Sequence, residues 1–359
     1  MLIKYKATEP TALKGFKPHK ILIVQTAFIG DVVLITALIR ECAQLFPCAL
    51  IDVMVIPSTK PLLEGNPYIN RVVIYDKRVK GEMFKIIADL NKVKYDLAIS
   101  PHSSSRTALV LYFSDIKIRL GYNRWFARHF LTHRVNHGMK LDHIPHKIEK
   151  LLNLLSVFTD KKLEMQTELY PNEQNRDFAQ GIMSVNTLGK KVILVSPGSV
   201  WNTKRWKEEH FTQLIKDLLH EGYFIVLNGS PAEFELCENI YQQSRAIAEE
   251  SIVNICGKST LLDSAAIVEM SDLVICNDSG TLHIANAMKT TVFAFFGPTV
   301  KRFGYYPFRE DDYVFEVDLP CRPCGAHGGE ICPLKHHNCM MEIKPEAVLD
   351  KVLNYFKRD

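Results

Sequence analysis

The chain has 359 residues, of which 47% are hydrophobic and 23% charged, and its formal net charge is +4. These proportions are typical of a soluble globular protein, and a length of about 150 residues per domain predicts two domains. So small a charge does not indicate a nucleic-acid-binding protein, and no apolar run approaches the roughly 18 residues of a membrane-spanning helix.

In the first half of the chain, short apolar runs alternate with amphipathic ones. Strands are predicted at 21–25, 49–56, 71–75, 95–100 and 116–122, and helices at 31–46, 82–93 and 146–158. The stretch 159–190 is polar and weakly patterned, so we expect the domain boundary near Gly189.

The alternation restarts after this boundary. Strands are predicted at 192–198, 223–229, 252–257, 272–277 and 291–297, and helices at 207–220, 232–248, 261–270, 281–288 and 345–356. Apolar strands joined by helices are typical of parallel sheets covered on both faces. We therefore predict an α/β protein with two doubly wound domains, 20–188 and 189–359, that face each other.

Ligands of doubly wound sheets bind beyond the carboxyl ends of the strands. The loop after the first strand reads TAFIGD and ends in Asp31 at the start of a helix. A helix N-terminus stabilises a carboxylate as an anion, which is the state that a general base needs. The same aspartate is also compatible with a simple helix N-cap.

Two loops of the second half carry charged candidates. SPGSVWNTKRW places Lys204 where a flexible ammonium could reach a phosphate, although an exposed surface lysine would look the same. NGSPAEFE places Glu233, with Glu235 as the next candidate, where a carboxylate could accept hydrogen bonds from ribose hydroxyls. Either glutamate could instead be a favourable acid in the first turn of a helix.

The loop NDSGTLHIAN is the most informative, because a strand runs through it directly into a helix. Free N–H groups at that helix N-terminus would bind a diphosphate. The hydroxyls, the glycine and the imidazole of the turn would add contacts, and the candidates are Asp278, Ser279, Gly280, Thr281 and His283. A capped helix with His283 in the packing is the alternative.

Cysteines and cations form two further groups. Nine cysteines, five of them in apolar segments, indicate reduced thiols in a reducing compartment, and the segment 321–339 gathers Cys321, Cys324, Cys332 and Cys339. Their spacing falls short of a paired zinc motif, so we predict no metal site, with structural zinc and a labile disulfide left as alternatives. A basic cluster in the first half indicates an anionic partner, with contacts expected from Lys60, His102, Arg106, Arg124 and Arg128, and a solvated basic face is the alternative.

In combination, these loops resemble the heptosyltransferases of glycosyltransferase family 9. The matching pieces are ILIVQTAFIGDVVLITALI, the NP of GNPYINRVVIYD, SPGSVWNTKRWKEEHF, GSPAEFE, DLVICNDSGTLHIANAM and FFGPT. The tail CRPCGAHGGEICPLKHHNCMMEIKPEAV looks most like members of the heptosyltransferase II type. The resemblance runs from about Lys20 to Phe356, so residues 1–19 look like an N-terminal extension.

The resemblance implies a GT-B fold and inverting transfer from an ADP-heptose donor without a cofactor or metal. It maps the catalytic aspartate to Asp31, the phosphate-contacting lysine to Lys204, the ribose-contacting glutamate to Glu233 and the diphosphate loop to 278–283. Many members have Asp-Thr-Gly where this chain has Asp-Ser-Gly, which keeps the hydroxyl.

The expected acceptor is an anionic glycolipid, either Kdo–lipid A or an already heptosylated core. Residues 1–20 are interrupted by charges and predict no secretory signal. We therefore expect a cytoplasmic enzyme, in solution or at the inner face of the cytoplasmic membrane, with no nucleic-acid partner. A family member with another donor sugar and a nucleotide-sugar epimerase are the alternatives.

Overall fold

The structure is a computed structural model that describes residues 12–102, 104–124, 126–137, 142–184, 187 and 189–358. The chain divides into two compact units, one ending at Tyr170 and the other beginning at Pro171. Trp125 and most of the predicted extension lie outside the described residues, while residues 13 and 16 pack on the first unit, where the Leu13 amide donates to the Val157 carbonyl.

The first unit is a doubly wound α/β domain. Its elements are β1 (Lys20–Val24), α1 (Ile29–Leu45), β2 (Leu50–Val55), β3 (Arg71–Ile74), α2 (Glu82–Val93), β4 (Leu97–Ser100), α3 (Ser105–Phe113), β5 (Ile118–Tyr122), β6 (His133–Val135) and α4 (Lys147–Leu152). The six strands are all parallel, in the order β3-β2-β1-β4-β5-β6.

The second unit repeats this architecture. Its elements are α5 (Glu173–Ser184), β7 (Val192–Ser196), α6 (Glu208–His220), β8 (Phe224–Leu227), α7 (Phe234–Ser244), β9 (Ile252–Asn254), α8 (Leu261–Glu269), β10 (Leu273–Asn277), α9 (Gly280–Met288), β11 (Val292–Phe296), β12 (Tyr313–Glu316), α10 (Asn338–Met341) and α11 (Pro345–Phe356). The parallel order β9-β8-β7-β10-β11-β12 is that of the first unit.

In each sheet the order in which successive strands are added reverses at one place, between β1 and β4 in the first and between β7 and β10 in the second. The connections on either side of such a switch point diverge, and this leaves a crevice at the carboxyl ends of the two central strands. All residues of β4, β7 and β10 are buried, as expected for sheets with both faces covered. The predicted pair of parallel α/β domains is confirmed. The loops that follow β1 and β4, and those that follow β7 and β10, line the two crevices where a ligand would bind.

The structure differs from the predicted elements mainly where helices or strands are short or polar. It adds α3, β6, β12 and α10, and it ends the predicted helix 146–158 at Leu152, followed by a 3-10 turn. It also places α5 inside the weakly patterned stretch 159–190, for which no element was predicted. This helix packs on α8, with Arg176 paired to Glu269, so the division falls after Tyr170 rather than near Gly189.

Among the residues that the structure describes, none of the helices is long and apolar enough to span a bilayer.

A buried arginine fastens α1 to the segment that closes the first unit. The Arg40 guanidinium lies 2.9 Å from the Glu41 carboxylate and 2.8 Å from that of Glu168, and it donates to the carbonyls of Glu164 and Gln166. The side chains of Arg40 and Glu41 are each only 5% exposed. Removing the cation would leave the Glu41 charge buried without its partner.

We therefore expect Arg40→Met to lower the free energy of unfolding of the first unit by about 3 kcal/mol, the range for breaking a buried pair. Urea unfolding, monitored by hydrogen exchange in peptides from α1, measures this free energy. The control is Arg78→Met, since Arg78 pairs with Asp76 at 2.8 Å but is 83% exposed. Equal losses in the two variants would contradict the assignment.

Candidate functional site

The crevice of the second unit is lined by the loops after β7 and β10, the two strands at its switch point. The loop after β7 ends in a 3-10 turn, Asn202–Lys204, and β10 runs almost directly into α9. Lys204 and Asp278, both predicted from the sequence, meet here: the Lys204 Nζ lies 2.7 Å from the Asp278 Oδ2. The topology of the sheet therefore brings together residues that are 74 positions apart.

This ion pair is partly shielded from water. The exposed fractions of the Lys204 and Asp278 side chains are 13% and 8%. The Thr299 hydroxyl donates a second hydrogen bond to the same Oδ2, at 2.6 Å. An ammonium has three N–H donors, so Lys204 can keep its contact with Asp278 and still donate to an incoming anion.

The N-terminus of α9 lies beside the pair and offers further donors. Ser279 is its N-cap residue, and the Ser279 Oγ is buried with no hydrogen-bond partner among the described residues. The Thr281 hydroxyl lies 3.1 Å from that of Ser196. The first-turn amides of a helix are an anion site, and here a buried hydroxyl without a partner lies next to them.

His283, one turn into α9, is placed in the packing of the helix. Its side chain is buried, and its ring lies 6.1 Å from that of Tyr305. Burial lowers the pKa of His283 to about 4, with Asp278 opposing this shift and Lys204 adding to it. The imidazole is therefore neutral near pH 7 and could offer a phosphate only a neutral N–H donor.

Glu233 lies at the end of the 3-10 turn Pro231–Glu233, which follows β8. Its Oε2 accepts hydrogen bonds from the amide and the hydroxyl of Ser230, at 2.7 and 2.8 Å. The other carboxylate oxygen lies against Gly198, because a Cβ at that glycine would be 1.9 Å from the Glu233 Oε1. The loops after β7 and β8 thus meet at this carboxylate, and only a glycine at 198 leaves room for it.

Two residues that we did not select from the sequence hold these loops in place. The buried Asn277 amide donates to the carbonyls of Pro197 and Gly198, at 2.8 and 3.1 Å, and its Oδ1 accepts from the Trp206 amide at 2.8 Å. The Trp206 ring stacks on Phe295, with the centroids 4.3 Å apart. In the sequence, the one sign that Asn277 could hold a neighbouring loop was its position, as a polar residue at the end of an apolar strand.

Asp31 lies at the carboxyl end of β1, in the first unit. The helix α1 begins at Ile29 with Phe28 as N-cap, so Asp31 is the third helical residue and not the cap. It is half-buried, and its charge acts on Lys147, the first residue of α4, which packs on α1. Burial lowers the pKa of Lys147, and Asp31 opposes that shift.

More cations gather around the end of β1. The Lys77 ammonium donates to the Thr26 carbonyl at 3.0 Å, and Arg106 donates to the Lys77 carbonyl at 3.0 Å. The His102 Nδ1 lies 3.1 Å from the Gln25 side-chain oxygen, and burial, together with Lys77 and Lys147, lowers its pKa to about 4. His102 and Arg106 were predicted, whereas Lys77 and Lys147 were missed.

The other predicted cations of the first unit have different neighbours. Lys60 pairs with Glu64 at 3.3 Å, the Arg124 guanidinium lies 3.5 Å from the His137 ring, and Arg128 contacts the adjacent His129. Arg124 remains within electrostatic range of Lys147, whose pKa it lowers. The structure therefore brings His102 and Arg124 within electrostatic range of Lys147 and Arg106 into contact with Lys77, and it gives Lys60 and Arg128 partners of their own.

The cysteine-rich segment 321–339 borders the site in the second unit. All nine cysteines, which lie within the described residues, are free thiols. Among all the residues that the structure describes, no three His, Cys, Asp or Glu side chains lie close enough together to form a metal site. Cys324, Cys332 and Cys339 line one small cavity together with Thr203 and His337. The segment thus reaches the turn that carries Lys204.

Comparisons with known proteins identify the family of the chain. The sequence pattern of glycosyltransferase family 9 (heptosyltransferase) matches residues 83–332, well over half of the chain. Lipooligosaccharide heptosyltransferase 2 of Campylobacter jejuni serotype O:6 is 29% identical, over 79% of this chain and 82% of that protein. Lipopolysaccharide heptosyltransferase 2 of Escherichia coli K12 is 25% identical, over 93% of this chain and 97% of that one.

A solved structure gives the same answer for the fold. The structure of E. coli ADP-heptose lipopolysaccharide heptosyltransferase II covers 93% of this chain and 98% of its own, with a TM-score of 0.77 and 24% identity. This likeness confirms the expected fold class.

The buried imidazole predicts a specific pH dependence of stability. In the unfolded chain His283 takes up a proton near pH 6.5, whereas in the folded chain it does so only near pH 4. Between these pH values the unfolded state binds more protons than the folded state. The stability that the neutral His283 ring contributes is therefore complete above pH 6.5 and is lost as the pH falls towards 4.

We expect His283→Asn to remove up to about 1.4 kcal/mol per pH unit of this dependence, the limit for one proton. Free energies of unfolding of both proteins in urea at pH 7 and pH 5 measure it. An unchanged pH dependence in the variant would show that His283 is not buried as a neutral ring.

Proposed function

The chain belongs to glycosyltransferase family 9, the heptosyltransferase family, and we propose that it transfers a heptose from ADP-heptose to the inner core of a lipopolysaccharide. The similarity to heptosyltransferase 2 of E. coli runs along nearly the full length of both chains. The observation that carries the proposal is the Lys204–Asp278 ion pair beside the N-terminus of α9. It places a cation and free amides together in the crevice at a switch point.

The donor is proposed to bind to the second unit through its diphosphate and its ribose. The first-turn amides of α9, the hydroxyls of Ser279 and Thr281 and the backbone at Gly280 hold the phosphates, with the Lys204 ammonium above them. Glu233, whose carboxylate is oriented by Ser230, accepts hydrogen bonds from the ribose hydroxyls. His283 supports this turn as a neutral residue.

Asp278 has an indirect role in this proposal. Its charge has the same sign as the diphosphate, so its carboxylate is a poor direct ligand for the donor. It accepts from both Lys204 and Thr299, and it therefore fixes the ammonium at one position. An ammonium that is held in place before the reaction stabilises the charge of a transition state effectively, because it does not have to reorganise.

Asp31 is proposed as the general base. It takes the proton from an acceptor hydroxyl while that oxygen attacks the anomeric carbon of the heptose. The bond from this carbon to the β-phosphate oxygen breaks from the opposite face, so the configuration inverts and ADP leaves with one more negative charge. Lys204 and the amides of α9 stabilise this charge, so we expect transfer without a divalent metal ion.

The acceptor is proposed to be an anionic glycolipid that binds near Asp31. Lys77, Arg106 and Lys147 supply positive charge at the carboxyl end of β1, and Arg124 lies within electrostatic range of Lys147. Several cations of one sign attract a phosphorylated or carboxylated sugar. Such an acceptor lies in a membrane, so we propose that the enzyme works in the cytoplasm at the inner face of the cytoplasmic membrane.

The proposed base is tested by Asp31→Asn. We expect turnover of ADP-heptose with a core glycolipid to fall roughly 10²- to 10⁴-fold, the usual contribution of a general base. The affinity for ADP should stay the same, because the residues proposed to bind ADP belong to the second unit. ADP release measures turnover, and calorimetry measures binding.

Asp89→Asn is the matched control, because Asp89 is on the surface of α2 and pairs with Lys92. We expect it to keep full activity. Normal turnover by Asp31→Asn would refute the role of Asp31 as the base.

The proposed ribose contact is tested by Gly198→Ala. The new Cβ would overlap the Glu233 carboxylate, from which it would be 1.9 Å away, so Glu233 has to move. We expect ADP to bind roughly 10-fold more weakly, which is the cost of losing hydrogen bonds to a charged group. The loss should disappear for 2′,3′-dideoxy-ADP, which lacks the ribose hydroxyls.

Gly181→Ala is the control, since a Cβ there meets nothing within 4 Å. An equal loss for ADP and for the dideoxy analogue would mean that Glu233 does not contact the ribose.

A further inference from the structure

The cysteine segment, residues 321–339, packs directly on the turn that presents Lys204. We infer that His337 is a positioning residue for Lys204, and that the cysteine segment holds the lysine where the leaving diphosphate would need it. This inference rests on the proposed function of Lys204. It assigns a role to a part of the chain that the proposed reaction does not otherwise use.

The first observation is the hydrogen bonding of Thr203, the residue before Lys204. The His337 Nε2 lies 2.8 Å from the Thr203 carbonyl oxygen. A carbonyl can only accept, so this nitrogen carries the proton. The Thr203 amide donates to the Gly329 carbonyl at 3.0 Å, and the Gly329 amide donates to the Thr203 hydroxyl at 2.8 Å. Both polar backbone groups of Thr203 are therefore bonded to the cysteine segment.

The second observation is the backbone conformation of His337. Its φ is +52°, in the left-handed region that residues with a Cβ rarely adopt. Such a conformation is unfavourable for a residue with a Cβ and persists only where the surroundings impose it. The residue with this strained backbone is the same residue whose ring contacts Thr203.

The third observation is a direct contact with the lysine. A Cβ on Gly328 would lie 3.1 Å from the Thr203 Oγ1 and 3.2 Å from the Lys204 Cγ. The backbone of the segment therefore packs against the methylene chain of Lys204.

The same segment also supports the partner of Lys204. The Arg322 guanidinium donates to the Thr299 carbonyl at 2.9 Å, and the Cys324 amide donates to the Pro298 carbonyl at 3.1 Å. Thr299 in turn donates its hydroxyl to the Asp278 carboxylate. The ion pair is thus held from both sides by one stretch of chain, so a change at His337 should move the ammonium while the fold remains.

The test is His337→Ala in the full chain, assayed by ADP release from ADP-heptose with a core glycolipid acceptor. We expect kcat to fall roughly 10-fold, because small displacements of a group that acts on the transition state are costly. The KM for the donor should change much less, since the α9 amides remain. His337→Asn should recover part of kcat, because asparagine tolerates the left-handed conformation and carries an N–H donor.

Gly328→Ala is a second, independent variant. Its methyl group would press on Thr203 and Lys204, and we expect the same selective loss of kcat. Gly328 has a φ of +82°, where any residue with a Cβ is strained, so the matched control is Gly222→Ala, which has a φ of +87° and a Cβ that would meet nothing within 4 Å. Gly222→Ala should keep full activity, and thermal unfolding should show all these variants folded.

A double-mutant cycle with Lys204→Met separates the inference from the proposed function. If His337 acts through Lys204, His337→Ala should cause no further loss in the Lys204→Met background. A loss of the same size in that background would refute the positioning role, while the proposed function would stand. Full turnover by Lys204→Met alone would instead refute the proposed role of Lys204, and the inference with it.

Discussion

The second unit is organised around one ion pair, Lys204 with Asp278, at 2.7 Å and largely shielded from water. A pair in such a place is costly unless its remaining hydrogen-bonding capacity is used. Thr299 satisfies a further lone pair of the carboxylate, and the ammonium, which also lies 3.5 Å from the Asp278 carbonyl oxygen, keeps an N–H group for an anion. Because either charge alone would be destabilising, the loops after β7, β10 and β11 have to keep one arrangement.

The topology makes that arrangement possible. Parallel strands deliver all their carboxyl-end loops to one edge, and the reversal between β7 and β10 opens a crevice between two of these loops. Side-chain contacts then fix the loops: Asn277 bonds to both ends of the loop after β7, and Trp206 anchors that loop in the aromatic core. A polar strand end and a buried indole thus give Lys204 its geometry.

The sequence could predict much of this because the relevant signals are local. Apolar strands and amphipathic helices gave two parallel α/β domains, and α2 was predicted with the bounds that the structure has. What it could not give depends on contacts between distant residues. The helix α5 is polar on average and is held by α8 through Arg176 and Asn175, contacts that the local sequence does not show. Lys77 and Lys147 are ordinary lysines in sequence, and only packing places them near the end of β1.

A carboxylate beside a proposed diphosphate site looks unfavourable, but differential binding gives it a purpose. In the proposed reaction, the diphosphate gains negative charge as the glycosidic bond breaks. An ammonium without a partner would attract the intact donor and the departing ADP strongly, and binding both states equally well does not accelerate the chemical step. Asp278 balances part of the lysine charge and, with Thr299, keeps the ammonium from following the ligand. A lysine held in this way interacts best with the additional charge that develops during transfer, which is the form of stabilisation that increases turnover.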